Sequence, residues 1–371
     1  MNHPKFNRDL LHFKKLADRK NRISIENDHV PVTRKSLNLS ETDKELIKKS
    51  ADRIKTARAN KRPVMLTFGA HTIKNGMAPV LNTLIKEGWV THLATNGAGI
   101  IHDWEFAYQG KSSEDVRENI EKGEFGIWDE TGFYINLALV IGAYEGSGYG
   151  ESVGKMISEE GLMIPDVSNL KKEAKVNIET DPEKSAAALD LYGVIKKFNL
   201  NQGFMRIPHP FKKYSVQACA WERKVPFTGH PMFGQDIIYT HPMNNGAAVG
   251  RTASADFLCF AESVSRIDGG VYLSLGSAVM SPMIFEKSLS MAQNIEIQHK
   301  RHIDNHFILV VDLAESNWDW HKNGEPPVDN PSYYLRYCKT FHRMGGEMHY
   351  LTADNRDFLL ELYQGLTSAR L

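Results

Sequence analysis

Hydrophobic positions along the chain fall into two recurring patterns. Short, nearly continuous apolar runs such as "PVMLTF", "WVTHLAT", "GGVYLSL" and "HFILVVDL" read as strands buried on both faces, as does "DIIYTH". Between them lie longer stretches with apolar residues at helical spacing. "GMAPVLNTLIKEG" is a helix closed by Gly88, and "IIHDWEFAYQ" is helical. "SSEDVRENIEKG" is predicted to form a helix capped at Ser113 and Glu114. The stretch "FYINLALVIGAYEGSGYGESVGKMISEEG" is a long helical region broken near Gly146, Gly148 and Gly150. "DPEKSAAALDLYGVIKKF" opens with Asp181 as cap and Pro182 at the first helical position. "SADFLCFAESVSRI", "SPMIFEKSLSMAQN" and "DNRDFLLELYQGL" are further helices, whereas 163–180 and 317–331 read as loops.

Strands alternating with helices predict an α/β fold: a Rossmann-like doubly wound parallel sheet with helices on both faces. Residues 1–60 read as an N-terminal arm and helix, with Ser40 capping "ETDKELIKKSADRIKTARAN". Residues 61–371 carry no compositional break and are expected to form one domain.

Bulk composition narrows the function classes. The 371 residues include 45 Lys plus Arg and 45 Asp plus Glu, a balance that gives no footprint for nucleic acid or an anionic membrane. The three cysteines lie far apart without a CxxC pair, which suits a reducing compartment, and no apolar run is long enough for a membrane span. The expectation is a cytoplasmic protein without membrane or nucleic-acid partners.

In parallel sheets, ligands bind beyond the carboxyl ends of the strands. "ATNGAGIIHD" places Asn96, Gly97 and Gly99 at such an end, where glycine permits close backbone approach. His102 and Asp103 follow and could shuttle a proton; Glu105 reads more simply as a helix N-terminal acid. Asp236 and His241 flank "IIYT", and a carboxylate there would bind a cationic amine. His299, His302 and His306 match no metal-ligand spacing and read as a solvated connector; no metal is expected. No Walker A loop, nucleophile elbow or HExxH occurs in the sequence.

Four stretches, "LTFGAHTIKNGMAPVLNTLIKEGWV", "THLATNGAGIIHD", "GQDIIYTHP" and "YLSLGSAVMSPMI", resemble deoxyhypusine synthase and its bacterial relatives. The resemblance implies a Rossmann-like fold, NAD as cofactor, a polyamine or other small amine as substrate, and a homo-oligomer, dimer or tetramer. By resemblance Thr95, Asn96, Gly97, Ala98, Gly276 and Ser277 would face NAD. Asp236 and His241 would contact the amine, with His241, His102 and Asp103 as catalytic candidates. The family's imine-forming lysine is missing: Ser281 stands in its place, and serine cannot form an imine. The usual covalent route to lysine modification is therefore not expected. Lys74, in the first loop, is a distant substitute. What remains is NAD-dependent chemistry on an amine or, alternatively, a non-catalytic nucleotide or small-molecule binder.

Overall fold

In the computed structural model, which describes residues 3–368, the core is a six-stranded parallel sheet. In chain order its strands are β1 (Val64–Phe68), β2 (His92–Asn96), β3 (Phe227–His230), β4 (Val271–Leu275), β5 (Phe307–Asp312) and β6 (Glu347–Thr352). Their order across the sheet is β6-β5-β4-β1-β2-β3, with every neighbouring pair parallel. This is the doubly wound arrangement, with its topological switch point between β1 and β4.

The two-residue period of the strands sorts side chains into separate cores. Val64, Leu66, Phe68, Leu273 and Leu309 pack with Ile47, Leu81 and Phe358 from helices Glu41–Ala59, Ala78–Lys86 and Asn355–Thr367. Met65, Tyr272, Ile308 and Val310 pack with Phe260, Phe285 and Phe341 from helices Gly246–Ser265, Met280–Gln298 and Arg336–Arg343. Helices thus cover both faces, which explains why the strands read as continuous apolar runs.

Several expected elements differ. "DIIYTH" is not a strand: Ile237–Thr240 form a 3-10 turn, and the edge strand is the shorter "FTGH" of β3. Only Ile238 of that turn is buried, so its apolar run did not mark a sheet position. Ser113 and Glu114 belong to a strand, Lys111–Glu114, and Asp115 caps the following helix by accepting from the Glu118 N–H. The expected loop at 163–180 contains the end of strand Gly161–Ile164 and helix Val167–Asn177. The loop at 317–331 holds a short helix, Trp320–Asn323. Strand β6 buries only Met348 and Leu351 and leaves its other residues half-buried, a signal too weak to stand out in "EMHYLT".

Ser40 caps its helix through a reciprocal box with Asp43. The arm before it does not hang free. Asn21–Ser24 pairs antiparallel with Lys111–Glu114, and the Arg19 guanidinium enters the body of the protein.

Candidate active site at the carboxyl edge of the sheet

At the switch point the backbones of β1 and β4 meet directly. The Gly69 N–H donates to the Leu275 carbonyl at 2.9 Å, and a Cβ on Gly69 would overlap the Gly276 carbonyl. Gly276 has a φ of +54°, and the space a Cβ would occupy there is open. Beyond it, Ser277 is buried and its Oγ accepts from the Ser281 N–H at 3.2 Å, holding the start of helix Met280–Gln298.

Ser281 itself is fully buried. Its hydroxyl lies 2.9 Å from the Tyr272 hydroxyl and 2.8 Å from that of Ser274. It is a packing residue of the core under the sheet, so this position offers nothing to a ligand at the edge.

The glycines after β2 serve close packing. Asn96 caps helix Gly97–Gln109 by accepting from the Gly99 N–H at 3.0 Å. A Cβ on Gly99 would overlap the Thr95 side chain, whose hydroxyl donates to the Phe68 carbonyl at 2.8 Å. Thr95 is fully buried, and its hydroxyl is committed to the sheet. A Cβ on Gly97 would overlap the Asp236 carboxylate, so this glycine is where Asp236 seats.

Asp236 lines a cavity of about 280 Å3 together with Ala98, Ile101, His102, Lys74 and Arg22. Asp236 Oδ2 is buried without a hydrogen-bond partner among the described residues. Burial pushes the carboxyl up to about 7. That is a carboxyl poised to exchange a proton near neutral pH.

His102, which also lines the cavity, is oriented by a buried relay. Its Nδ1 lies 2.7 Å from Ser112 Oγ, and Ser112 donates its only hydroxyl proton to Glu105 Oε2 at 2.5 Å. Nδ1 must therefore carry the imidazole proton, leaving Nε2 as an acceptor. Glu105 is held by both guanidinium nitrogens of Arg19, at 2.8 and 2.5 Å, and by Thr131 at 3.1 Å. Burial opposes the Glu105 charge, but Arg19 and these hydrogen bonds outweigh it and hold the carboxyl below its usual range. Burial lowers His102 to about 4, so the ring is neutral. Lys74 is lowered by burial and by the nearby Arg22 charge.

The remaining expected residues lie elsewhere. Asp103, on the opposite face of the helix from the relay, accepts from Ser215 Oγ (2.6 Å), the Val216 N–H (2.8 Å) and Gln217 Nε2 (2.9 Å). Ser215 caps helix Val216–Arg223, and Asp103 takes up the N–H groups of that helix's first turn rather than facing the cavity. His241 does not line the cavity, and both of its nitrogens are used. Nδ1 accepts from the Met243 N–H at 3.0 Å, and Nε2 faces Asp129 Oδ1 at 3.3 Å. Its ring packs among Phe13, Phe133 and Phe198. The hydrogen bond from His241 is the main reason that Asp129 is lowered to about 2. Of the three neighbouring histidines, His306 is buried with neither ring nitrogen partnered among the described residues, unlike a solvated connector.

The cavity therefore brings together Ala98, His102 and Asp236 from the expected set, with Lys74 and Glu105 also on its wall, and adds Arg19 and Arg22, while Ser112 stands behind His102. Arg19 and Glu105 are 86 positions apart, and nothing in the local pattern of either pointed to the other.

No protein-family model matches the sequence, and no curated protein matches it. Among solved structures the chain is similar to AgrE in a ternary complex with ornithine and NAD+, at 14% identity over 88% of this chain and 34% of that one, with a TM-score of 0.43. It is similar to ArgZ, an arginine dihydrolase from the ornithine-ammonia cycle in cyanobacteria, at 14% identity over 89% and 33%, with a TM-score of 0.39. A "putative deoxyhypusine synthase" from Entamoeba histolytica matches at 10% identity over 92% and 85%, with a TM-score of 0.38. The chain spans about a third of the length of AgrE and ArgZ, and at these identities and scores no residue role or activity carries across. Among the described residues, no helix is long and apolar enough to cross a membrane.

Proposed function

We propose that this protein is an NAD-dependent enzyme acting on a small amine, with the amine in the Asp236–His102 cavity and the dinucleotide at the β1/β4 switch point. The observation that carries this reading is the Asp236 carboxyl on the wall of a cavity that a neutral histidine also lines, its Oδ2 buried without a hydrogen-bond partner among the described residues.

Asp236 suits two tasks in turn. As a carboxylate it binds a protonated amine. A carboxyl poised near 7 then accepts the ammonium proton, leaving the nitrogen lone pair free to assist loss of hydride from the adjacent carbon. His102 Nε2 accepts a remaining N–H, and the Ser112–Glu105–Arg19 relay keeps the ring from turning. When bound, NAD+ supplies the hydride acceptor.

The switch point fits a dinucleotide through the open space at Gly276 and the close approach of Gly69, with Asn96, Ser277 and Ala278 alongside. It departs from the usual fingerprint in one respect. β2 ends in Asn96 rather than an acid, so a ribose hydroxyl would meet an amide.

Calorimetric titration with a primary diamine, in the presence of NAD+, tests the assignment. Because Asp236 is half-protonated near neutrality, binding of the cation should release a proton, seen as a heat that changes with the buffer's ionisation enthalpy. Asp236→Asn should weaken amine binding at least tenfold and abolish proton release while leaving NAD+ affinity unchanged. Equal amine affinity in the two proteins would overturn the role given to Asp236.

A further inference from the structure

The charges around the cavity are unevenly satisfied. Arg19 is paired with Glu105, and Arg22 with Asp115. Glu114 accepts from Asn119 Nδ2 and from Trp128 Nε1 at 2.9 Å. Two side chains are left without any partner among the described residues: the Asp236 carboxyl, whose Oδ2 accepts no hydrogen bond, and Lys74, whose ammonium makes neither an ion pair nor a hydrogen bond. The charge that bears on Lys74 is that of Arg22, another cation.

A diamine answers only half of this arrangement. Its ammonium would satisfy Asp236, but its second cation would meet Lys74 and Arg22. An anion near Lys74 would offset a repulsion that the protein leaves uncompensated. Both leftover groups line one cavity of about 280 Å3, the scale of a single small metabolite.

We infer that the cavity takes a zwitterionic amino acid, its amino group at Asp236 and its carboxylate at Lys74 with support from Arg22. This deepens the amine reading and rests on it. The class of molecule follows from one unpaired acid and one unpaired base on the walls of the same small space. Specificity would come from Lys74: a half-buried cation left without its counter-charge penalises any ligand that lacks a carboxylate.

Matched ligand pairs test the inference. L-lysine and cadaverine differ only by the carboxylate, as do L-ornithine and putrescine. Calorimetry with NAD+ present should show each amino acid binding at least tenfold more tightly than its decarboxylated partner. Lys74→Met should remove that preference and leave diamine affinity unchanged or improved; Lys74→Arg should restore part of it. Circular dichroism melts establish that each variant is folded. If diamines bind as tightly as the amino acids and Lys74→Met changes neither, the inference fails while the amine reading stands. If neither class binds the folded wild-type protein, both fail.

Discussion

At Gly97 the space of a missing side chain is filled by the Asp236 carboxylate. The local sequence "NGAG" suggested that its glycines made room for a ligand; both make room for neighbouring side chains. Gly97→Ala would ordinarily favour a helix by up to about 1 kcal/mol. Here the added methyl collides with a buried carboxylate, and overpacking of this kind costs about 1–3 kcal/mol. We predict a lower urea midpoint for the variant and weaker amine binding; a raised midpoint with unchanged binding would contradict this packing. Asp103 teaches a related lesson. Beside His102 in sequence, it looked like half of a proton shuttle, but consecutive helix residues point in different directions. Its partners, Ser215 to Gln217, lie more than a hundred positions away and could not be read from the stretch that contains it.

At the scale of elements, apolar runs located β1, β2, β4 and β5, because strands covered on both faces leave a continuous signal. Edge strands β3 and β6 are short or only half-buried, and their signal was lost or displaced onto "DIIYTH". The arm was legible as polar and basic, but its attachment was not. That attachment depends on the Arg19–Glu105 pair, which is nearly inaccessible to solvent. Removing one member of such a pair strands the other charge in the interior, at a cost of about 3–5 kcal/mol. Arg19→Met should therefore destabilise the protein by that order and loosen the arm. Limited proteolysis would show faster cleavage before Glu41 than in the wild type. Identical cleavage rates would mean that the arm is held without this pair.

For the whole molecule, the buried carboxyl leaves a signature in the pH dependence of stability. An ordinary carboxyl ionises near 3.8, and Asp236 in the folded protein holds its proton to about 7. Between those values the unfolded chain has released a proton that the native state retains, so this residue makes stability fall as pH rises through the window. Below and above it, the contribution is flat. Asp256, which burial raises to about 8, adds a decline of its own, so the Asp236→Asn protein should show a shallower decline than the wild type between about pH 4 and 7, as measured by urea denaturation at successive pH values. An unchanged slope in the variant would assign the whole effect to other groups.

The sheet order brings β1, β2 and β4 side by side, which places the switch-point glycines and the Asp236–His102 cavity along one edge of the molecule. The account depends on those two places working together. The most direct measurement is the absorbance of NADH as the wild-type protein is incubated with NAD+ and a panel of amino acids, diamines and polyamines. The account predicts accumulation of NADH with at least one amine, lost in Asp236→Asn and strongly reduced in His102→Gln. Binding of an amine with no reduction of NAD+ across the panel would contradict it and leave the cavity as a recognition site without redox chemistry.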